Sequence, residues 1–334
     1  MKNVLTFWLI GFLCLVNLCK IVGQSDDSLK VGFILANLYY ERWWNDKKYF
    51  EEKFNELGGT VDFIDCYDMP ANQIDAAKKF IEEGVACIVI IPTDAQQTKP
   101  VVDLAHEADI PVVAYDRLIL KAPIDLYVTV NSITVGEMMA QSVIEVLDKG
   151  NILYLGGPSE DFNSSFIREG VFNVLDKNKE KYTIYSAQVS TWNQMDAYLI
   201  LEDFITNNEL IPDAIICAAD MLTYGAITVL EENNKLGEVY LTGQDAEKDI
   251  CRQVVNENVL MTVYKSNKEL ASVAAETVWK LINNEEFEID DEINNKYSDI
   301  PSILIPPVLV NKETIDKALI EEGIYTEEDI YGKE

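Results

Sequence analysis

The sequence predicts an α/β protein of two similar Rossmann-like lobes, each a parallel sheet flanked by helices. Three observations carry this. Short apolar runs alternate with amphipathic segments of about ten to fifteen residues, the mark of successive βα units. The alternation runs twice, from Lys30 to Val130 and again from Asn151 to Tyr264. A chain of 334 residues, 48% hydrophobic and 25% charged, is long enough and ordinary enough for two packed domains.

In the first series, strands are expected at Lys30–Leu35, Val61–Cys66, Ala86–Ile91, Val112–Tyr115 and Leu126–Val130. Helices should end near Leu57 and cover Asn72–Glu83 and Lys99–Glu107; Gly58-Gly59 and Gly84 supply the stops. A long helix, Ile133–Leu147, leads into the second series. Its strands are Asn151–Leu155, Tyr182–Tyr185, Ala214–Cys217, Val239–Gly243 and Leu260–Tyr264. Its helices are Asn163–Leu175, Gln194–Phe204, Leu222–Glu231 and Ala246–Asn256, followed by Asn267–Ile282. Beyond Asn283, the acids Glu285, Glu286, Glu288, Asp290, Asp291 and Glu292 read as a solvated connector, with no calcium-loop spacing. Ser302–Ile305 and Val308–Val310 are expected as edge strands, and the segment from Thr314 as a helix and a loosely held terminus. The resulting boundaries are 1–28 for a leader, 29–130 plus 265–283 for an N-terminal lobe, 131–264 for a C-terminal lobe, and 284–334 for the connector and C-terminal segment.

Charge narrows the function. The 57 acidic against 27 basic residues leave a net charge of -30, which repels nucleic acid, anionic membranes and phosphorylated substrates. The leader carries Lys2, an apolar stretch from Val4 to Cys19, and then Lys20. It reads as a signal peptide or short membrane anchor that exports the chain, cleaved or retained. Leu13 and Leu18 precede Cys14 and Cys19, where a lipoprotein signal places a small residue. Cys66, Cys87 and Cys217 lie in or beside apolar runs as expected buried thiols, and no CxxC occurs. His106 is the only histidine and is expected at the surface, so no metal centre is expected. Neither GxxxxGK nor GxGxxG is present, and no cofactor is implied.

Ligands in open α/β sheets sit beyond the carboxyl ends of the strands. Asp116-Arg117 follows the buried run Val112–Tyr115 directly. A carboxylate beside a guanidinium fork suits a polyhydroxylated ligand, although a solvated ion pair reads the same way. The other strand ends lead into Asn37, Tyr39, Glu41, Arg42 and Trp43, into Thr93, Asp94 and Gln96, and into Asn163, Trp192, Asp220, Gln244-Asp245 and Lys265. If the lobes face each other, these groups share one cleft, where carboxylates and amides chelate hydroxyls and tryptophan stacks on a sugar ring. Each has a structural alternative. Asp220 and Asp245 are also placed to cap the helices after them, and Trp192 to fill a core. The adjacent Trp43 and Trp44 do not both fit one buried stripe; one is expected to pack on the lobe and the other to face the cleft, and Trp43, beside Arg42, is assigned to the cleft. No nucleophile with a base and an orienter is present, so an enzyme is not expected; Asp116 with Asp245 is the one pair that imitates a glycosidase.

The stretches Glu41-Arg42-Trp43, Val89-Ile90-Ile91-Pro92, Ala114-Tyr115-Asp116-Arg117, Gly243-Gln244-Asp245-Ala246 and Met261-Thr262-Val263-Tyr264-Lys265 carry a resemblance. From about Lys30 to Asn283 the chain resembles the periplasmic sugar-binding proteins of the ribose/xylose/galactose group, and within it the xylose-binding members. The resemblance implies the type I periplasmic binding fold, a three-crossover hinge, and closure on one monosaccharide. D-xylose is favoured, with ribose or galactose as alternatives. It implies ligand contacts from Arg42, Trp43, Asp116, Arg117, Asn163, Trp192, Asp220, Asp245 and Lys265. Ala218-Ala219-Asp220 departs from the Ser-Asn-Asp of the xylose-binding pattern, and the missing amide bond is worth about 0.5–1.5 kcal/mol. The partners implied are the membrane permease of an ABC importer or the extracytoplasmic domain of a LytS-type sensor histidine kinase, with no nucleic acid. A cytoplasmic repressor is disfavoured by the leader and by the lack of a basic helix-turn-helix.

Overall fold

The computed structural model describes residues 29–39, 41–159 and 161–332. The leader, with its expected signal or anchor, lies outside them. Among the described residues no helix is long and apolar enough to cross a membrane.

The first series folds as β1 (Lys30–Leu35), α1 (Glu41–Glu56), β2 (Thr60–Asp65), α2 (Pro70–Glu83), β3 (Cys87–Ile90), α3 (Lys99–Glu107), β4 (Val112–Tyr115) and β5 (Leu126–Val130). The second continues as α4 (Ser132–Val146), β6 (Gly150–Gly156), α5 (Phe162–Leu175), β7 (Tyr182–Gln188), α6 (Gln194–Asn208), β8 (Ala214–Cys217), α7 (Asp220–Glu232), β9 (Tyr240–Thr242), α8 (Lys248–Val255) and β10 (Thr262–Tyr264). Then come α9 (Asn267–Ile282), β11 (Asp291–Asn294), β12 (Asp299–Ile305), β13 (Val308–Val310) and α10 (Glu327–Tyr331).

The first sheet has the order β11-β12-β5-β4-β3-β1-β2 and is parallel except at β11–β12. Its central strands are buried along their whole length because helices cover both faces, which is why they read as unbroken apolar runs. Successive residues alternate between two cores. Phe33, Val89, Val113, Tyr115 and Val128 pack on one side, and Ile34, Ile88, Ile90, Val112, Ala114 and Tyr127 on the other. The second sheet, β7-β6-β8-β9, is parallel, and β10 joins β9 through a bridge between Met261 and Thr242. α4 and α5 approach closely at Gly136 and Gly170, where a Cβ would fall 2.0 Å from a carbonyl oxygen of the opposite helix.

The chain crosses between lobes three times: from β5 into α4, from β10 into α9, and from β12 into β13, which pairs with β10. Three expectations need correction here. Ser302–Ile305 is not an edge strand, because β12 lies inside the first sheet, parallel to β5, with β11 on its outer side. The acidic connector therefore contains a strand, β11. The C-terminal segment is not loose either. After a π-helical turn at Asp316–Ile320, α10 docks on α8, with Arg252 Nε donating to the Asp329 carbonyl at 2.7 Å and the Tyr325 hydroxyl to the Ala246 carbonyl at 3.1 Å. A one-face strand and a docking helix are set by partners far away in sequence, which local pattern does not reveal. The four cysteines among the described residues are free and buried. His106 is half-buried and paired with Asp125 at 2.9 Å.

Candidate functional site

Asp116 is the node of the site. At the end of β4 it adopts a left-handed backbone (φ 62), a conformation aspartate visits more readily than most non-glycine residues. Its N–H donates to the Val128 carbonyl, and its own carbonyl accepts from the Tyr127 hydroxyl (3.0 Å), Thr129 Oγ1 (2.8 Å) and Asn163 Nδ2 (2.9 Å). Tyr127 and Thr129 stand on β5, but Asn163 stands on α5 of the other lobe. The Asp116 carboxylate accepts from Arg42 Nη2 at 2.7 Å. Burial alone would raise its pKa, but Arg42, Lys265 and Arg117 outweigh that and hold it below the usual carboxylate range.

Arg42 enters from the first turn of α1. Its guanidinium lies 4.1 Å over the Trp43 ring and 3.9 Å from Asp245 Oδ1. Burial opposes its charge, yet Asp116, Asp46 and Asp245 leave its pKa above the ordinary value. Arg117 lies 5.6 Å over the same indole, so Trp43 floors the site beneath two cations. Its buried Nε1 has no protein acceptor among the described residues, a donor left for water or a ligand. Arg117 also donates to the Pro92 carbonyl (3.3 Å) and pairs with Asp161 (3.4 Å). Asp161 accepts in turn from Trp192 Nε1 at 3.1 Å and caps α5 through the Asn163 N–H. The Trp192 indole lies on Gly157, where a Cβ would come within 1.9 Å of the ring. On the hinge side, Lys265 pairs with Asp245 at 2.7 Å, and Asp245 and Ala246 both have positive φ (105 and 52).

The structure thus brings together Arg42, Trp43, Asp116, Arg117, Asn163, Trp192, Asp245 and Lys265, from both lobes and the hinge. Trp43 is the buried member of its pair, and Trp44, expected to pack on the lobe, is instead exposed and donates to the Leu38 carbonyl. Asp220 stands apart. It is fully buried, and its oxygens accept from Thr262 Oγ1 (2.9 Å) and the Glu247 N–H (2.8 Å). Burial and the Asp245 carboxylate push its pKa well up. It therefore braces the loop that carries Asp245, with both oxygens already engaged. Neither acid caps the helix after it: the cap position of α7 is Ala219, and α8 starts only at Lys248, after the strained Asp245-Ala246 turn.

Sequence reasoning missed Asp161 and Asp46. Asp161 had a signal, an acid at a strand-to-helix junction two residues before Asn163. Asp46 had the i,i+4 spacing from Arg42 on a helix whose neighbours are polar.

Chemically, the site alternates cations and carboxylates around two indoles, with fixed donors and acceptors and no activated nucleophile. Thiols supply none, since burial pushes Cys66 and Cys217 up to about 12. Among the described residues no group of three acids, histidines or cysteines is placed to hold a metal.

A family model of the periplasmic binding protein domain matches residues 31–286. The chain is 33% identical over 326 residues to a D-xylose-binding periplasmic protein of Haemophilus influenzae, spanning 96% of this chain and 98% of that one. It is 32% identical over 322 residues to a D-xylose-binding periplasmic protein of Escherichia coli, spanning 95% and 97%. Among solved structures, a carbohydrate transporter solute binding protein from Chloroflexus aurantiacus in complex with D-glucose matches with a TM-score of 0.82 at 25% identity, covering 90% of this chain and 98% of that one.

Proposed function

The chain belongs to the periplasmic binding protein family, and on that premise we propose that it is an extracytoplasmic receptor closing its two lobes on D-xylose. It is a sugar-binding protein and not an enzyme. The observation that carries the ligand reading is the ring of Arg42, Asp116, Arg117, Asp161, Asp245 and Lys265 around Trp43 and Trp192, drawn from both lobes. Such a ring offers paired acceptors and donors to vicinal hydroxyls and apolar faces to ring C–H groups. Its members already neutralise one another, so a neutral polyol enters without stranding a charge, which a charged ligand would do.

A sugar held by Asn163 and Trp192 on one side and Arg42, Asp116 and Arg117 on the other favours the closed form by its differential affinity. The closed surface is then what a membrane partner reads, either the permease of an ABC importer or the extracytoplasmic domain of a sensor histidine kinase. D-xylose is favoured by the names of the two relatives that match nearly end to end. Ala218-Ala219 favours a second reading, broader sugar selectivity, since the second-lobe strand end offers methyl groups where the xylose pattern has a hydroxyl and an amide. A calorimetric panel of pentoses and hexoses tests both. D-xylose should bind most tightly; equal binding of several sugars supports the second reading, and no binding at millimolar sugar overturns the first.

A further inference from the structure

Asp46 lies outside the ring that faces the cleft, yet it touches the roots of its first-lobe and hinge members. It sits one helical turn after Arg42 on α1 and is fully buried. Its Oδ1 accepts from the Tyr115 hydroxyl at 2.8 Å, one residue before Asp116, and from Asn267 Nδ2 at 3.0 Å, two residues after Lys265. Its Oδ2 faces Arg42 Nε at 3.9 Å. Both atoms are buried and neither makes a hydrogen bond among the described residues, the gap being too long for one. A buried carboxylate is costly to keep when one oxygen goes unsatisfied. Asn267 opens α9, directly after the chain crosses from the second lobe to the first.

We propose that Asp46 is a positioning residue for sugar capture, coupling that hinge crossover to the seating of Arg42. The inference rests on the sugar-site reading above. In this structure the lobes already touch, Asn163 on Asp116 and Asp161 on Arg117. When a sugar enters between them, the crossover shifts Asn267, Asp46 follows, and the 3.9 Å gap to Arg42 shortens into a charge-assisted hydrogen bond. Arg42 is then locked against the ligand only in the sugar-bound form.

The coupling predicts a pH dependence. The groups facing Asp46 are Arg42 on its own helix, Tyr115 and Asp116 at the end of β4, and Tyr264 at the end of β10. Burial raises Asp46 to about 6 against the pull of Arg42 and Asn267. Burial keeps both tyrosines protonated, and Asp116 is held low, so Asp46 is the member of this group that changes charge between about pH 5 and 8. As pH falls through that value Asp46 takes a proton and loses its hold on Arg42, so affinity falls.

The test uses the whole chain. D-xylose affinity of the unaltered protein should drop about tenfold between pH 7.5 and 5. Asp46→Asn should bind about tenfold more weakly at neutral pH and lose the slope, and because Asp220 is untouched in that variant, the flattening assigns the slope to Asp46. Asn267→Ala removes a donor that stabilises the carboxylate, so its midpoint should move to higher pH while every ring member stays in place. A purely structural Asp46 would shift stability and leave these midpoints unmoved. Arginine-selective 15N spectra of the sugar-free protein read the link directly, because the chain has only Arg42, Arg117, Arg168 and Arg252. The Arg42 Nε–H signal should titrate near Asp46's midpoint and cease to do so in Asp46→Asn. An unmoved Arg42 signal, or Asp46→Asn with unaltered affinity and slope, overturns the coupling. A titrating Arg42 signal in a protein that binds none of the monosaccharides in the calorimetric panel overturns the sugar reading instead.

Discussion

Two acids end comparable strands in the two lobes, and they behave in opposite ways. Asp116 follows the buried β4 and Asp220 follows the buried β8, and both side chains are nearly or completely inaccessible. Around Asp116, burial is outweighed by Arg42, Lys265 and Arg117, and the carboxylate stays ionised. Around Asp220, burial acts with Asp245 in the same direction, and the acid is pushed toward its neutral form although Glu247 N–H and Thr262 bond to it. One strand end holds an acid among three cations, and the other holds an acid that braces a loop. The difference lies in which cations other segments deliver, because the strand-plus-acid pattern is shared.

The sharpest way to break this comparison is Asp116→Ala. It strands Arg42 beside the site, and sugar affinity should fall about a hundredfold or more in titration calorimetry; an unaltered isotherm would remove Asp116 from the site. Trp192→Ala deletes the second-lobe stacking surface and frees Asp161, so affinity should drop about tenfold with most of the loss in the dissociation rate. Ala219→Asn makes the second lobe more like the xylose pattern. At an extended N-cap position it should stabilise α7 by about 1 kcal/mol and tighten D-xylose binding about threefold, read by thermal unfolding with and without sugar. Asp220→Asn should have the smallest effect on binding, none measurable. Its effect is on stability. An acid whose folded pKa is raised binds more protons folded than unfolded, so it costs stability as pH rises above about 4. The variant lacks that cost, and its melting temperature should gain on the parent's from about pH 5 to 8; a parallel pH profile would show Asp220 already ionised in the fold.

Much of the fold and part of the site were legible beforehand. The central strands declared themselves because burial on both faces demands continuous apolar runs, and Asp116-Arg117 stood out by interrupting one. Arg42, Trp43, Trp192, Asp245 and Lys265 were legible as the polar and aromatic residues just beyond the strand ends. Asp161 escaped because its role lies in joining Arg117 to Trp192 across the lobes, and Asp46 because its partners, Tyr115 and Asn267, are far along the chain. β12 was misplaced at an edge because a short apolar segment does not state which neighbour it pairs with.

The amino-acid order by itself determined the doubled α/β pattern, the acidic surface, the buried thiols and the supply of polar groups at the strand ends. Those depend on side-chain period and composition, which are local. Tertiary structure alone decided that β12 completes the first sheet, that α10 docks on α8, and that the pKa values of Asp116 and Asp220 move in opposite directions. Pairing partners and the charge of a buried acid are set by groups brought from distant segments, and their combined field exists only once the chain is folded.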